Sequence, residues 1–151
     1  MKADTRLFGE IDIKDDKIIK LKEGIIGFPD LQNFTLIHDE EKEGKGSIKW
    51  LQSMDDPAFA LPVMNPLDVK PDYQLTVNEE GLEPLGTMTE ENTFILVTIT
   101  VPQNIEEMSV NLKAPFIINA DNLQGVQMIA EDDYPVKYKI YEILNKKKAG
   151  E

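Results

Sequence analysis

Cysteine is absent from the 151 residues, so neither a disulfide framework nor a thiolate metal site can form. There is one histidine, His38, which excludes histidine-clustered metal centres. A serine or threonine nucleophile using that histidine as its base has no motif support either. On a strand beside Leu36, a lone histidine reads as a packed or half-exposed sheet residue. No apolar run approaches the ~20 residues of a membrane span. The start, Met1-Lys2-Ala3-Asp4-Thr5-Arg6, has no apolar segment behind it of the signal-peptide kind. The expectation is a cytoplasmic protein. Phosphate-cradling loops are missing as well, since Gly24-Ile25-Ile26-Gly27 is neither a P-loop nor a dinucleotide fingerprint. The adjacent carboxylates Asp15-Asp16, Asp55-Asp56 and Asp132-Asp133 fall where turns are expected, and read as turn formers rather than acid–base pairs.

Positive charge is scarce too. Sixteen Lys and Arg stand against 28 Asp and Glu, a formal net charge of −12. Such a surface repels phosphate backbones, which argues against direct binding of nucleic acid or of an anionic membrane. It would steer a basic protein instead. Taken from composition alone, the acidity is explained as well by solubility.

What is present is mostly strand pattern. The chain is organised around Trp50–Pro66. Ile48, Trp50, Gln52 and Met54 alternate with Lys49, Leu51 and Ser53, the period of two of a strand. Asp55-Asp56-Pro57 supplies a turn, and Phe59, Leu61 and Val63 a second apolar face. Pro62 cannot donate to a ladder, which predicts an edge or interrupted strand. The only Trp sits in this hairpin, so Trp50 is expected to be largely buried.

Before the hairpin, Leu7 to Ile13 and Ile18 to Leu21 read as two strands of a hairpin, and Phe34 to His38 as a third strand. Between them Gly24-Ile25-Ile26-Gly27-Phe28-Pro29 bends the chain sharply. Phe28 is either a core plug, the commoner case, or an exposed aromatic anchor. Asp39 to Gly46 is a charged loop tip without the calcium-loop ligand pattern. After the hairpin, Tyr73, Leu75 and Val77 predict a strand, and Asn78 to Gly86 a short helical turn capped by Asn78 and stopped by Gly86. Ile95, Val97, Ile99 and Val101 form a β-branched strand face, with Thr98 and Thr100 pointing away. Further strands are read at Val110–Leu112, Phe116–Ile118 and Gly125–Ile129. Helical spacing arises only from Tyr138, where Ile140, Ile143 and Leu144 would share a face. The pattern predicts a mostly β, small antiparallel β-barrel-like single domain over residues 1–144, with a short C-terminal helix and a basic flexible tail at 145–151.

Several segments together resemble the FliW family of flagellar assembly factors. They are Gly27-Phe28-Pro29 with Phe34, Trp50-Leu51-Gln52-Ser53 with Asp56-Pro57, and Pro66 with Tyr73. Then come Asn111-Leu112-Lys113-Ala114-Pro115, Asn119, Gly125-Val126-Gln127 and Tyr134-Pro135-Val136-Lys137. Their order and spacing cover Phe8 to about Lys137. Relatives often follow the last motif with His-Pro, where this chain has Tyr138-Lys139. The resemblance implies a barrel-like protein with no enzymatic activity and no cofactor. It also implies that the protein binds newly made flagellin and, alternately, the basic translational regulator CsrA, antagonising repression of flagellin mRNA. That would give the acidity a role in recognition.

Phe28, Gln52, Asp56, Tyr73, Asn111, Lys113 and Gln127 are the candidate partner-binding residues. Gln52, Asn111, Lys113 and Gln127 are alternatively polar residues that simply face water, and Phe28, Asp56 and Tyr73 alternatively turn scaffolding. Flagellin's terminal segments form amphipathic helices, so an apolar groove is expected on this side of that interaction. The rival readings are a barrel that binds a small ligand, which needs a cavity lined by convergent polar groups, and an enzyme, which needs a cleft of perturbed titratable groups.

Overall fold

The computed structural model describes residues 1–38 and 48–149, with side chains as far as residue 37 and from residue 48 to residue 145. The charged loop Asp39–Gly46 read from the sequence lies outside the described residues, as do the His38 side chain and residues 150 and 151. The strands are β1 (Lys2–Thr5), β2 (Gly9–Asp12), β3 (Ile19–Leu21), β4 (Asn33–His38), β5 (Lys49–Ser53), β6 (Ala60–Met64), β7 (Thr93–Thr100), β8 (Ser109–Val110), β9 (Phe116–Asn119), β10 (Gln124–Gln127) and β11 (Tyr138–Lys139). One α-helix, α1 (Tyr141–Ala149), follows.

Seven strands close into a ring in the order β7-β6-β5-β4-β3-β10-β9, with β9 returning to β7. The barrel expected from the turn-punctuated strand pattern is therefore present, and closure removes its free edges. Every pairing in the ring is antiparallel except β3–β10, which sets Lys20 opposite Gln124 and Leu21 opposite Gly125 in parallel. Gly125 is required there by close approach: a Cβ would lie 2.8 Å from Leu21 Cδ2 and 3.0 Å from Ile118 Cγ1.

Alternation along each strand fills the interior with Ile19, Leu21, Phe34, Leu51, Val63, Leu96, Phe116 and Ile118, and Ile25 closes one end. A second core lies on the outer side of β6 and β7: Met64, Val69, Tyr73, Val97, Ile99, Met108, Val110, Leu112 and Ile140. Val63 and Leu96 thus point inward while their neighbours Met64 and Val97 point outward, and both sides are dry. The β-branched face of β7 packs on this second core, and Val101 runs out into solvent. β7 divides its edge, pairing with β9 over residues 93–96 and with β8 at residues 99 and 100.

The central hairpin forms as read, with the Phe59, Leu61 and Val63 face packed on the barrel core, but the face of its first strand is reversed. Leu51 points into the barrel with Leu61 and Val63. Trp50 points outward, is only partly buried, and meets Phe8 edge-on at 6.3 Å. The expectation of a largely buried Trp50 is corrected accordingly. Pro62 sits opposite Trp50. The Ser53 N–H donates to Phe59 O at 2.9 Å, which makes 53/59, 51/61 and 49/63 the hydrogen-bonded pairs. The N–H that Pro62 lacks would point toward β7, whose pairing with β6 starts only at Val63. The ladder is interrupted where proline demands it.

Three other sequence expectations change. The strand read at Leu7–Ile13, β2, pairs with β1 rather than with Ile18–Leu21, setting Ala3 opposite Ile11. The Thr5 hydroxyl both donates to Gly9 O and accepts the Phe8 N–H, a turn that returns the chain onto Lys2–Thr5. Tyr73 to Val77 keeps the alternation of a strand but has no strand partner, because side chains take its N–H groups: Gln74 N–H donates to Tyr134 Oη at 3.0 Å and Thr76 N–H to Asp132 Oδ2 at 2.6 Å. Helix α1 continues through residues 145–149, which the sequence reading gave to a tail. The Asn78–Gly86 reading holds, as a 3-10 helix over Glu79–Leu85. The Asn78 side chain accepts the Glu80 N–H, and Gly86 adopts φ 81° at the stop.

Candidate functional site

β3 runs into the loop that closes one end of the barrel. Gly24 has φ +70° and Gly27 φ +92°, left-handed values that favour glycine. At Gly24 space forbids a side chain as well, since a Cβ would lie 2.5 Å from Pro29 O and 2.6 Å from Phe28 O. Ile25 and Phe28 exchange backbone hydrogen bonds at 3.2 and 2.7 Å, closing a tight turn over Ile26-Gly27. Gln127 fastens that turn to the barrel: its Oε1 accepts the Ile26 N–H at 2.8 Å and its Nε2 donates to Ala114 O at 3.1 Å. Ile25 is buried, while Ile26 is 55% and Phe28 51% exposed. The Phe28 ring leans on Phe59 at 5.2 Å. A rigid turn here holds two large apolar side chains in water.

The β5–β6 turn lies at the same end. The Ser53 hydroxyl accepts the Asp55 and Asp56 N–H groups, and Asp56 Oδ1 accepts the Ala58 N–H. Gln52 is 0% exposed and donates through Nε2 to the carbonyls of Ser53, Pro57 and Phe59. Its Oε1 is buried and accepts from no group among the described residues. The Asp55 carboxylate accepts from Gln32 N–H at 2.7 Å, Asn33 N–H at 2.8 Å and Asn33 Nδ2 at 3.1 Å. Partial burial pushes the Asp55 carboxyl up, but these bonds outweigh it and hold it below the usual carboxylate range.

Tyr73, Asn111 and Lys113 belong to a flank beside this end. The buried Tyr73 hydroxyl donates to Leu112 O at 2.8 Å, and burial pushes its pKa up to about 12. Asn111 Oδ1 accepts the N–H groups of Lys113 and Ala114. Lys113 Nζ donates to Asp132 O at 2.7 Å. The Asp132 carboxyl is held low by the backbone hydrogen bond from Thr76. Tyr134 packs on Tyr73 at 4.7 Å. Asn111 and Gln127 thus converge on Ala114 from two sides. The seven candidate residues gather at one end and flank, but only Phe28 and Asp56 turn exposed side chains to solvent. Gln52 and Tyr73 are buried struts, and Asn111, Lys113 and Gln127 are partly buried ones. Sequence reasoning missed Ile26, for which the signal was two glycines bracketing an Ile-Ile pair.

Asp55 and Asp132 carry a prediction. A carboxyl whose pKa is lowered on folding stabilises the native state fully above its unfolded value, ~3.9. That contribution is lost as pH falls through the folded value. Urea unfolding at pH 7 and pH 3 should show a smaller loss for the Asp55→Asn/Asp132→Asn double variant than for the parent chain. Equal losses would mean that neither carboxylate contributes.

At the opposite end of the barrel the described residues leave a cleft of about 580 Å³, floored by Ile19, Leu36, Phe94, Ile118 and Leu123 and lined also by residues 12–14, 16, 17, 120 and 121. No group of three or more His, Cys, Asp or Glu is placed to hold a metal ion among the described residues. No described helix is long and apolar enough to cross a membrane.

The sequence profile of the FliW protein family matches residues 2–140. This chain belongs to the FliW family. The flagellar assembly factor FliW of Lachnospira eligens is 46% identical over 97% of this chain and 98% of its own length. That of Lachnoclostridium phytofermentans is 42% identical over 97% of each. A crystal structure of the flagellar assembly factor FliW superposes with a TM-score of 0.84 at 27% identity, covering 93% of this chain and 97% of the other. The barrel is therefore the FliW fold, and the function class it carries is flagellar assembly.

Proposed function

We propose that this FliW-family chain is a non-enzymatic, cytoplasmic partner-switching protein. It holds newly made flagellin and, alternately, the basic regulator CsrA, so that the level of free flagellin sets flagellin translation. The observation that carries this reading is the capped end of the barrel, whose two turns carry exposed Phe28 and Ile26 together with the exposed carboxylates Glu23, Asp30, Asp55 and Asp56. An aromatic anchor at an acidic end suits a basic protein surface. The cations beside it are fewer: Lys22, and Arg6, whose Nε is held by Ala58 O at 3.3 Å.

Titrating each partner alone and in the presence of the other, at low and high salt, tests the reading. CsrA association should slow markedly with added salt, because exposed charges are screened within about 8 Å at physiological ionic strength. Flagellin binding should respond much less. Each partner should lower the affinity of the other by the same factor, as linkage requires. A ternary complex with undiminished affinities would overturn the switch, and salt-independent CsrA association its electrostatic basis.

A further inference from the structure

We infer that the barrel keeps one stretch of strand edge open at the capped end, from Gln127 to Ile129, and that an extended segment of a basic partner protein adds to it as a further strand. The inference rests on the reading of that end as a partner site and names how the partner engages it.

Closure of the ring fails locally beyond Gly125. Met128 N–H donates to Pro115 O at 3.0 Å and Ala130 N–H to Lys113 O at 2.8 Å, so these two residues turn their backbone groups to the β9 side. In an antiparallel ladder the residues between them turn theirs the other way. Gly125 does so and meets Leu21 of β3, and Glu131 does so and donates to Thr76 O at 2.7 Å. Gln127 and Ile129 lie between those two contacts, and their backbone N–H and C=O groups have no partner among the described residues. The departure of β3 is the cause. Lys20 N–H donates to Leu123 O, and continuing those parallel rungs would bring Gln127 N–H to Lys22 O. The chain turns away first: Gly24 N–H folds back on Leu21 O, and Lys22 O accepts Gln32 Nε2 at 3.0 Å. The Gln127 side chain spans the gap instead, through the Ile26 N–H.

The surroundings select the occupant. Ile129 stands on the same face of its strand as Gln127, the face that holds Ile26, and both isoleucines are 55% exposed. An added strand meets apolar side chains on that face. Gln127-Met128-Ile129 carries neither the lysine nor the proline that keeps an edge from pairing. In the stretches that border the edge, residues 22–30 and 127–133, Glu23, Asp30, Glu131, Asp132 and Asp133 stand against Lys22 alone. Lys113, on the far side of the strand, already gives its Nζ to Asp132 O at 2.7 Å. The segment that fits is extended, with aliphatic residues at every second position and lysine or arginine among the rest.

Amide hydrogen exchange reads this mode directly, with CsrA as the probe. In the free chain the Gln127 and Ile129 amides should exchange far faster than those of Met128 and Ala130, which are already bonded. Saturation with CsrA should slow both by about tenfold or more. Ile129→Pro removes a donor that the barrel does not use. That chain should fold as the parent does and bind CsrA about tenfold or more weakly, whereas Ile129→Ala, which keeps the N–H, should lose less. Slow exchange of both amides in the free chain would overturn the open edge. Bound CsrA that leaves them fast, or a folded Ile129→Pro chain of undiminished affinity, would overturn strand addition while leaving the partner site intact. If the parent chain does not bind CsrA, the reading of that end fails, and this inference with it.

Discussion

Gly24→Ala lowers stability by about 2–5 kcal/mol, the sum of ~1–2 for an alanine in the left-handed region and ~1–3 for forcing atoms into a filled space. The space is filled by backbone: Pro29 O at 2.5 Å, Phe28 O and Pro29 Cα at 2.6 Å from the new Cβ. Carbonyls fixed by the turn cannot swing aside as a side-chain end would, so the loop must open. Its opening takes Ile26 away from Gln127 and should weaken the partner binding proposed for the capped end. Gly27→Ala is the control. It shares the left-handed φ but has nothing within 4 Å, so only the conformational part, about 1–2 kcal/mol, remains. Urea unfolding of the two variants separates strain from collision, and equal losses would show that the collision is relieved cheaply.

Leu51→Ala should cost about 2–5 kcal/mol, the range for emptying a leucine site in a packed core. Its larger neighbour Trp50→Ala should cost only about 1–2 kcal/mol, a partial-burial loss plus one edge contact with Phe8. Leu51 is fully buried among Phe34, Val63 and Leu96, whereas Trp50 lies on the outer face of the hairpin. Chemical denaturation of both variants, with intrinsic fluorescence of the parent chain, checks the order. A Trp50→Ala loss exceeding that of Leu51→Ala would put the indole back in the core.

That inversion shows what could and could not be read from the chain. The period of two located β5 and β6 correctly, but a strand apolar on both faces does not say which face is inside. Size alone pointed to Trp50, yet the N-terminal ribbon gives β5 a partly dry outer face, and that ribbon depends on a Thr5 turn with no apolar signal of its own. Asn78 and Gly86 were legible because capping is local chemistry, complete within nine residues. Tyr73–Val77 was not, because its pattern is that of a strand and only the distant Asp132 and Tyr134 side chains take the place of a neighbouring strand. Among the candidate residues, polarity on apolar strands marked Gln52, Asn111, Lys113 and Gln127, which the structure uses to fasten backbone. Polarity alone does not say whether such a side chain faces inward as a strut or outward to solvent.

The fastening of the capped end has a consequence for how the protein is made. Ile26 and Gln127, joined by one hydrogen bond, are 101 residues apart in the chain, and the parallel β3–β10 pair that closes the ring spans a similar interval. Contacts so remote form only after the intervening chain exists and its loop entropy has been overcome. During synthesis the early strands can meet, but the barrel stays an open sheet until β10 has left the ribosome. A nascent chain is thus without the fastened Ile26–Phe28 turn, which is complete only when its translation is nearly finished.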